Sequence, residues 1–339
     1  MRSIRERSGL AIALFLITLP VVAHHSRTIF DRERVVTIEG VVTEYEWANP
    51  HVTVFVETKT DSGDAVVWAF EAGATTYQRG RGWSGDMLAP GDHVIVEGNP
   101  LRTTGAATAD VISIRKAGVT VIDHGVAASA LEGGEPTPFG TDGLSGIWHA
   151  PQNPSNRQFA SYPSSPWSLT PKGSEALETF DDRTMNPQNE CGARAAPWLM
   201  TWGVYSIEVS DRLISIRTEY DTVERIVHMD VTSHDGAAIT NQGHSIGRWE
   251  DEVLVVDTTH FADHRTGNAR GVPSGSQKHL VERFELNPDG TGLTYRFELE
   301  DPEYLSDPVT GELQSAYRLD LGFDPIECDL EIARRFMED

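Results

Sequence analysis

Long apolar runs are scarce in this chain of 339 residues. The best candidate, residues 10–19, is about half the roughly 20 residues that a membrane-spanning helix needs, and no later segment approaches it. Basic residues are also few: 28 Lys and Arg stand against 51 Asp and Glu, for a formal charge of -23. That surplus repels phosphate backbones and anionic lipid surfaces, so nucleic acid is a poor partner. Only two cysteines occur, which excludes a disulfide-dense scaffold. No His-Glu-x-x-His pair appears, which excludes a zincin, and no glycine-rich phosphate loop of the Walker or dinucleotide kind is present. Long helical periodicity is missing too, and what remains is a globular composition, 39% hydrophobic and 23% charged, long enough for two cores.

The first residues read as an address. Arg2, Arg5 and Arg7 precede the apolar run, Pro20 breaks it, and Val21-Val22-Ala23 suits signal peptidase, with Val at -3 and Ala at -1. Residues 1–23 are therefore expected to be a secretory signal, the mature protein periplasmic or secreted and without an integral membrane segment. In an oxidising compartment Cys191 and Cys328 could form a disulfide across most of the C-terminal half. Two buried free thiols, or a metal site using both thiolates, are the alternatives.

From Val35 onward the pattern is strand. Residues 51–58 (HVTVFVET) alternate apolar and polar positions, Asp61-Ser62-Gly63-Asp64 reads as a hairpin turn, and HVIVEGNP and VISIRK complete a set of five strands. Residues 75–84 carry the one short helix-compatible stretch. Five strands with a short helical piece near the third connection predict an OB-like β-barrel over residues 24–124. Residues 125–143, rich in Ala, Gly, Pro and Thr, read as a linker. Residues 144–339 are again mostly β, with YSIEV, LISIRTEY, ERIVHMD, DEVLVVDTT, HLVERFEL, LTYRFELE and AYRLDL separated by turns. At least seven strands over this length predict a larger lipocalin-like (calycin-like) antiparallel β-barrel, and the fold class is all-β.

Ala23-His24-His25-Ser26, Trp47-Ala48-Asn49-Pro50-His51, Arg79-Gly80-Arg81-Gly82-Trp83 and Leu88-Ala89-Pro90-Gly91-Asp92 together resemble an uncharacterised family of exported bacterial domains, over roughly residues 24–117. Through Gly243-His244-Ser245-Ile246-Gly247-Arg248-Trp249-Glu250, the VVDTT strand and Glu282-Arg283-Phe284, the second half resembles the C-terminal barrel found with that domain. Gly146-Ile147-Trp148 is similar to the lipocalin Gly-x-Trp signature. The resemblance implies the architecture and carries no reaction.

Three chemistries compete for the site residues. Cleavage before His24 would leave an amine and Nδ1 that close a chelate suited to Cu(II), with His25 or His51 completing a tetragonal set. Against it stands a frayed terminus with solvated histidines, and His51 as a polar cap on the barrel. A second possibility is a small, largely apolar ligand inside the larger barrel. Trp148, Trp202, Tyr205 and Trp249 would line its lumen, and Arg225, His228 and Arg283 would supply polar contacts; ordinary core packing explains the same aromatics. The third is a hydrolase or isomerase in that barrel, with His244 as general base and Asp257 or Glu282 as partner. Gly243-His244-Ser245-Ile246-Gly247 matches a nucleophile elbow, but a strand follows it where the elbow needs a helix, so a turn between strands is the better reading. Alternation places His228 and Arg225 on opposite faces of their strand, and likewise Glu282 and Arg283; any of the charged groups that enters the lumen must be paired. Residues 187–197 are expected to fold over the barrel mouth, held there if Cys191 and Cys328 are bridged.

Overall fold

A computed structural model describes residues 30–102, 105–123, 126–127, 143–150, 167–201 and 203–335. The first barrel is built from β1 (Val36–Glu46), β2 (Thr53–Lys59), β3 (Ala65–Glu71), β4 (His93–Pro100) and β5 (Thr108–Lys116), with α1 (Thr75–Arg79) between β3 and β4. The antiparallel order β3-β2-β1-β4-β5 closes through a parallel contact of β3 with β5, where Phe70 faces Ala109. Alternation dictates the inward set: Val54, Val56, Phe70, Val96 and Ile114 are each buried completely. This is the expected five-stranded OB-like barrel with its short helix. Two further strands, β6 (Val119–Asp123) and β7 (Val126–Ala127), extend the sheet into residues that composition assigned to the linker. Residues 128–142 lie outside the described part, as do residues 1–29.

The second barrel closes with nine strands: β8 (Gly146–Ala150), β9 (Gly203–Val209), β10 (Leu213–Thr218), β11 (Glu224–His228), β12 (His244–Glu250), β13 (Val253–Thr259), β16 (His279–Leu286), β17 (Gly292–Glu300) and β18 (Val309–Tyr317). A separate hairpin, β14 (His264–Ala269) and β15 (Val272–Ser274), is inserted between β13 and β16. All seams are antiparallel except β11 with β12, which is parallel and holds two residue pairs, Val227 with Ser245 and His228 with Ile246.

Two strands depart from the sequence reading. Residues 244–250 are strand β12 and not a turn; only Gly243, with φ +70°, adopts the turn geometry that glycine favours. Its inward positions are small because the space above Gly247 is filled by Met229 and Val227, and Ser245 serves a buried arginine. The last strand is Val309–Tyr317, whereas residues 319–321 form a single 3₁₀ turn. Gly311 and Ser315 among its inward positions blur the apolar alternation, and a side chain at 311 would strike the Phe297 ring.

The two barrels are joined by buried contacts. The Arg79 Nη1 donates to Glu219 Oε1 at 2.7 Å, its Nη2 to the Leu321 carbonyl, and Val204 N donates to Thr76 Oγ1 at 2.9 Å. Gly80 sits so close to the second barrel that a Cβ there would lie 2.1 Å from His149 Nε2. The Cys191–Cys328 disulfide, with Cα atoms 5.7 Å apart, ties the 187–190 turn to a C-terminal segment lying on the first barrel. There Asn49 Nδ2 donates to the Ile326 carbonyl, Asp329 N donates to the Asn49 carbonyl, and Arg335 makes two hydrogen bonds to Glu46 at 2.6 and 2.7 Å.

Burial, aided by the nearby Arg318 cation, pushes the His149 imidazole down to about 4. The native ring is therefore neutral while an unfolded one takes up its proton near pH 6.5. Stability from this group is complete above pH 6.5 and is lost as pH falls from there to about 4, by roughly 3 kcal/mol at the low end. Thermal unfolding at pH 7, 5 and 4 should show this slope reduced in His149→Asn, and equal slopes for the two proteins would refute it.

Candidate functional site

The interior of the second barrel is filled by its own side chains. Trp148 is buried completely, donates from Nε1 to the Leu144 carbonyl at 2.9 Å, and packs on Tyr317 with ring centres 5.1 Å apart. Tyr205 is buried and donates to Ser315 Oγ at 2.9 Å. Arg225 and Glu282 meet at the centre: Nη1 donates to Oε1 at 2.8 Å, and Nη2 reaches Oε2 and also Thr258 Oγ1. Ser245 Oγ accepts from Arg225 Nε at 3.1 Å, and Tyr295 donates to Glu282 at 2.7 Å. An ionised pair survives such burial only with these extra partners. Lys278, which the sequence did not single out, is also buried; burial pushes its amine down to about 7. Its Nζ donates to the Ala196 and Gly267 carbonyls at 2.7 Å each and stands 4.3 Å from the centre of the Phe261 ring.

The residues expected to line one lumen are thus divided. Trp148, Tyr205 and Arg225 are core, whereas Trp249 is 45% exposed at the end of β12. Arg283 faces outward and pairs with Glu250 at 2.8 Å, and His228 is on the outer face. Trp202 lies outside the described residues, as do His24 and His25. His51 Nδ1 lies 2.9 Å from Glu71 Oε1, which accepts. Its neighbour Asn49 is the structural centre of that motif, since its Oδ1 accepts from both Thr75 N and Thr75 Oγ1. Of residues 187–197, expected to fold over the barrel mouth, Ala196 is in the core together with the following Trp198 and Met200, and Cys191 is bridged to the C-terminal segment.

Of the three residues considered for acid–base work, the barrel wall separates Glu282, which points inward, from His244 and Asp257, which share the outer face. There the structure gathers five imidazoles. His228 ends β11, His244 begins β12, His279 begins β16, His260 follows β13, and His234 comes from the connection between β11 and β12. Asp257 accepts from His234 Nε2 at 3.0 Å through one oxygen and from His279 Nε2 at 3.1 Å through the other. His234 Nδ1 lies 2.9 Å from His244 Nδ1. An ionised carboxylate only accepts, so His234 carries its hydrogen on Nε2, and its Nδ1 accepts from His244. The result is a chain Asp257–His234–His244. His228 stacks on His244 with ring centres 5.0 Å apart, and His260 stacks on His234 at 6.0 Å.

Asp257 and His260 are three apart and a straight strand would set them on opposite faces. The left-handed backbone of His260, φ +59°, turns its ring back toward the cluster. Such a conformation is uncommon outside glycine and costs about 1 kcal/mol or more. Burial pushes His244 below the ordinary imidazole range, with the neighbouring His228, His234 and His260 acting in the same direction. For Asp257 burial acts upward, but hydrogen bonds from His279 and His234 outweigh it and hold the carboxyl below its ordinary value. Both groups are therefore set in the forms a relay needs at neutral pH, a carboxylate and an uncharged base. As the rings stand, no group of three or more His, Cys, Asp or Glu among the described residues is already arranged to hold a metal ion.

Beside the cluster is a cleft of about 870 Å³. It exists because β11 and β12 part after two residue pairs, and the returning connection runs outside the wall. Its lining mixes apolar Met229, Val231, Ile246 and Trp249 with polar or charged Asp211, His234, Arg248 and Asp257. His234 is the functional candidate that sequence reasoning missed; the available signal was that six of the twelve histidines fall between positions 228 and 279.

Residues 13–109 match a family of unknown function, DUF6152, which supports the resemblance of the N-terminal half to an uncharacterised family. No curated protein and no solved structure matches the chain. Among the described residues no helix is long and apolar enough to cross a membrane.

Proposed function

We propose that this is an exported protein that binds a small, largely apolar molecule in the cleft beside β12. The observation that carries this reading is a half-exposed Trp249 set with Met229, Val231 and Ile246 in a cleft that also presents His234 and Asp257. The volume is in the usual range for small-molecule sites, and a few polar groups in an apolar cleft fix orientation. This moves the ligand from the barrel interior to its outer wall.

The Asp257–His234–His244 chain favours a second reading, acid–base chemistry on the bound molecule. Protonation of His244 would be stabilised through His234 by the Asp257 carboxylate. In either case native mass spectrometry of protein purified from its own cells should show an added small-molecule mass. Trp249→Ala, which removes the exposed apolar wall, is expected to weaken retention at least about 30-fold, as loss of a binding hot spot does. Equal occupancy in both proteins would refute the cleft as the site. Asp257→Asn separates the readings: unchanged mass of the retained molecule supports binding alone, and accumulation of a different, unprocessed molecule supports chemistry.

A further inference from the structure

The histidine cluster presents more imidazole than a proton relay requires. A relay ends at His244, yet His228 and His260 pack against the same two rings, and His260 holds an unfavourable backbone conformation that turns it inward. We infer that His234 and His244, with His260 or His228 as third donor, form a site for a divalent first-row transition metal on the lining of the cleft, held in place by Asp257 and replacing the hydrogen bond between the two rings.

The distances carry the inference. Two nitrogens bound at a right angle to a metal about 2.0–2.1 Å away are themselves about 2.9 Å apart. His234 Nδ1 and His244 Nδ1 are separated by 2.9 Å. Imidazoles sharing one ion at the tetrahedral angle have ring centres about 5.2 Å apart, given about 2.1 Å to the metal and about 1.1 Å from nitrogen to ring centre. The pairs His228–His244, His234–His244, His234–His260 and His244–His260 are at 5.0, 5.1, 6.0 and 6.5 Å. His234 and His244 thus stand close enough to share an ion once it replaces the hydrogen between them; His228 needs only to rotate to add a third donor, whereas His260 must also move inward.

The outer contacts match those of a metal ligand. Metal-bound histidines commonly donate their second ring N–H to a carboxylate, which fixes the tautomer and raises basicity. His234 Nε2 does this to Asp257, and His260 Nδ1 is held at 2.9 Å from Thr259 Oγ1, leaving its Nε2 free to turn to the ion. On binding, His244 exchanges its Nδ1 hydrogen for the Nε2 tautomer, so no net proton is released by that ring. Imidazole donors suit Zn(II), Co(II), Ni(II) and Cu(II) and not Ca(II) or Mg(II).

Titration of the full chain with Co(II), followed by visible absorption and Zn(II) competition, tests the site. One equivalent should bind, and Zn(II) should displace it. The double variant His234→Ala with His244→Ala should bind at least about 100-fold more weakly, and Asp257→Asn about 10–100-fold more weakly. His93→Ala, on the other barrel, should bind as the parent does. Binding unaffected by the double variant would place the metal elsewhere and overturn the inference, as would no binding at millimolar Co(II). If the double variant loses its cooperative unfolding transition, X-ray absorption of the Zn(II)-loaded parent decides: three imidazoles support the site, and fewer than two overturn it.

Discussion

Replacing Arg225 with methionine is expected to destabilise the larger barrel by about 3–5 kcal/mol, because Glu282 would be left in a dry interior without its cationic partner and with only Tyr295 as donor. The reverse change, Glu282→Leu, should cost a similar amount by stranding the guanidinium. Combining Arg225→Met with Glu282→Leu should return more than half of either loss, since removing both charges removes the penalty of an unpaired one. The recovery is incomplete because Ser245, Thr258 and Tyr295 lose partners. Urea unfolding of the four proteins measures this cycle. A single variant within about 1 kcal/mol of the parent would mean that water reaches the pair and that the interior is not closed.

Cys191→Ser with Cys328→Ser is the second large effect. The bridge closes a loop of 137 residues, and releasing it adds conformational freedom to the unfolded chain worth about 5 kcal/mol. The native state should loosen unevenly. Amide exchange ought to rise most in the segment that carries Ile326, Asp329 and Arg335, because its remaining anchors to the first barrel are a few hydrogen bonds and one ion pair. The strands of the first barrel should exchange as before. Protection of the C-terminal segment that survives loss of the bridge would show that Asn49 and Glu46 hold it unaided.

Much of the architecture was legible because alternation is a strong signal where one face is buried and the other wet. It put Glu282 and Arg283 on opposite faces without saying which enters, and it foresaw that a buried charge would be paired; Arg283, expected to reach the lumen, is the one that faces out. The cysteine pair was legible from count and expected compartment. The signal failed where an inward position is small or polar for a local reason: Ser245 and Gly247 made β12 resemble a turn, and Gly311 and Ser315 concealed β18. The site was harder to read. Its register depends on a two-pair parallel seam, His234 comes from a segment without periodicity, and the direction of His260 is set by one left-handed residue. His244 and Asp257 were singled out by residue type, but the imidazole that connects them was not.

Asn49 also orders events in time. A chain made from its N-terminus can close the five strands of the first barrel while Ile326, Asp329 and Arg335 do not yet exist. During that interval Asn49 keeps its bonds to Thr75, while its Nδ2, its backbone carbonyl and the Glu46 carboxylate lack the partners they have in the finished fold. The contact that fastens the barrels is thus a late clasp, engaging only when the final residues arrive, and the first barrel must stay folded and soluble on its own until then.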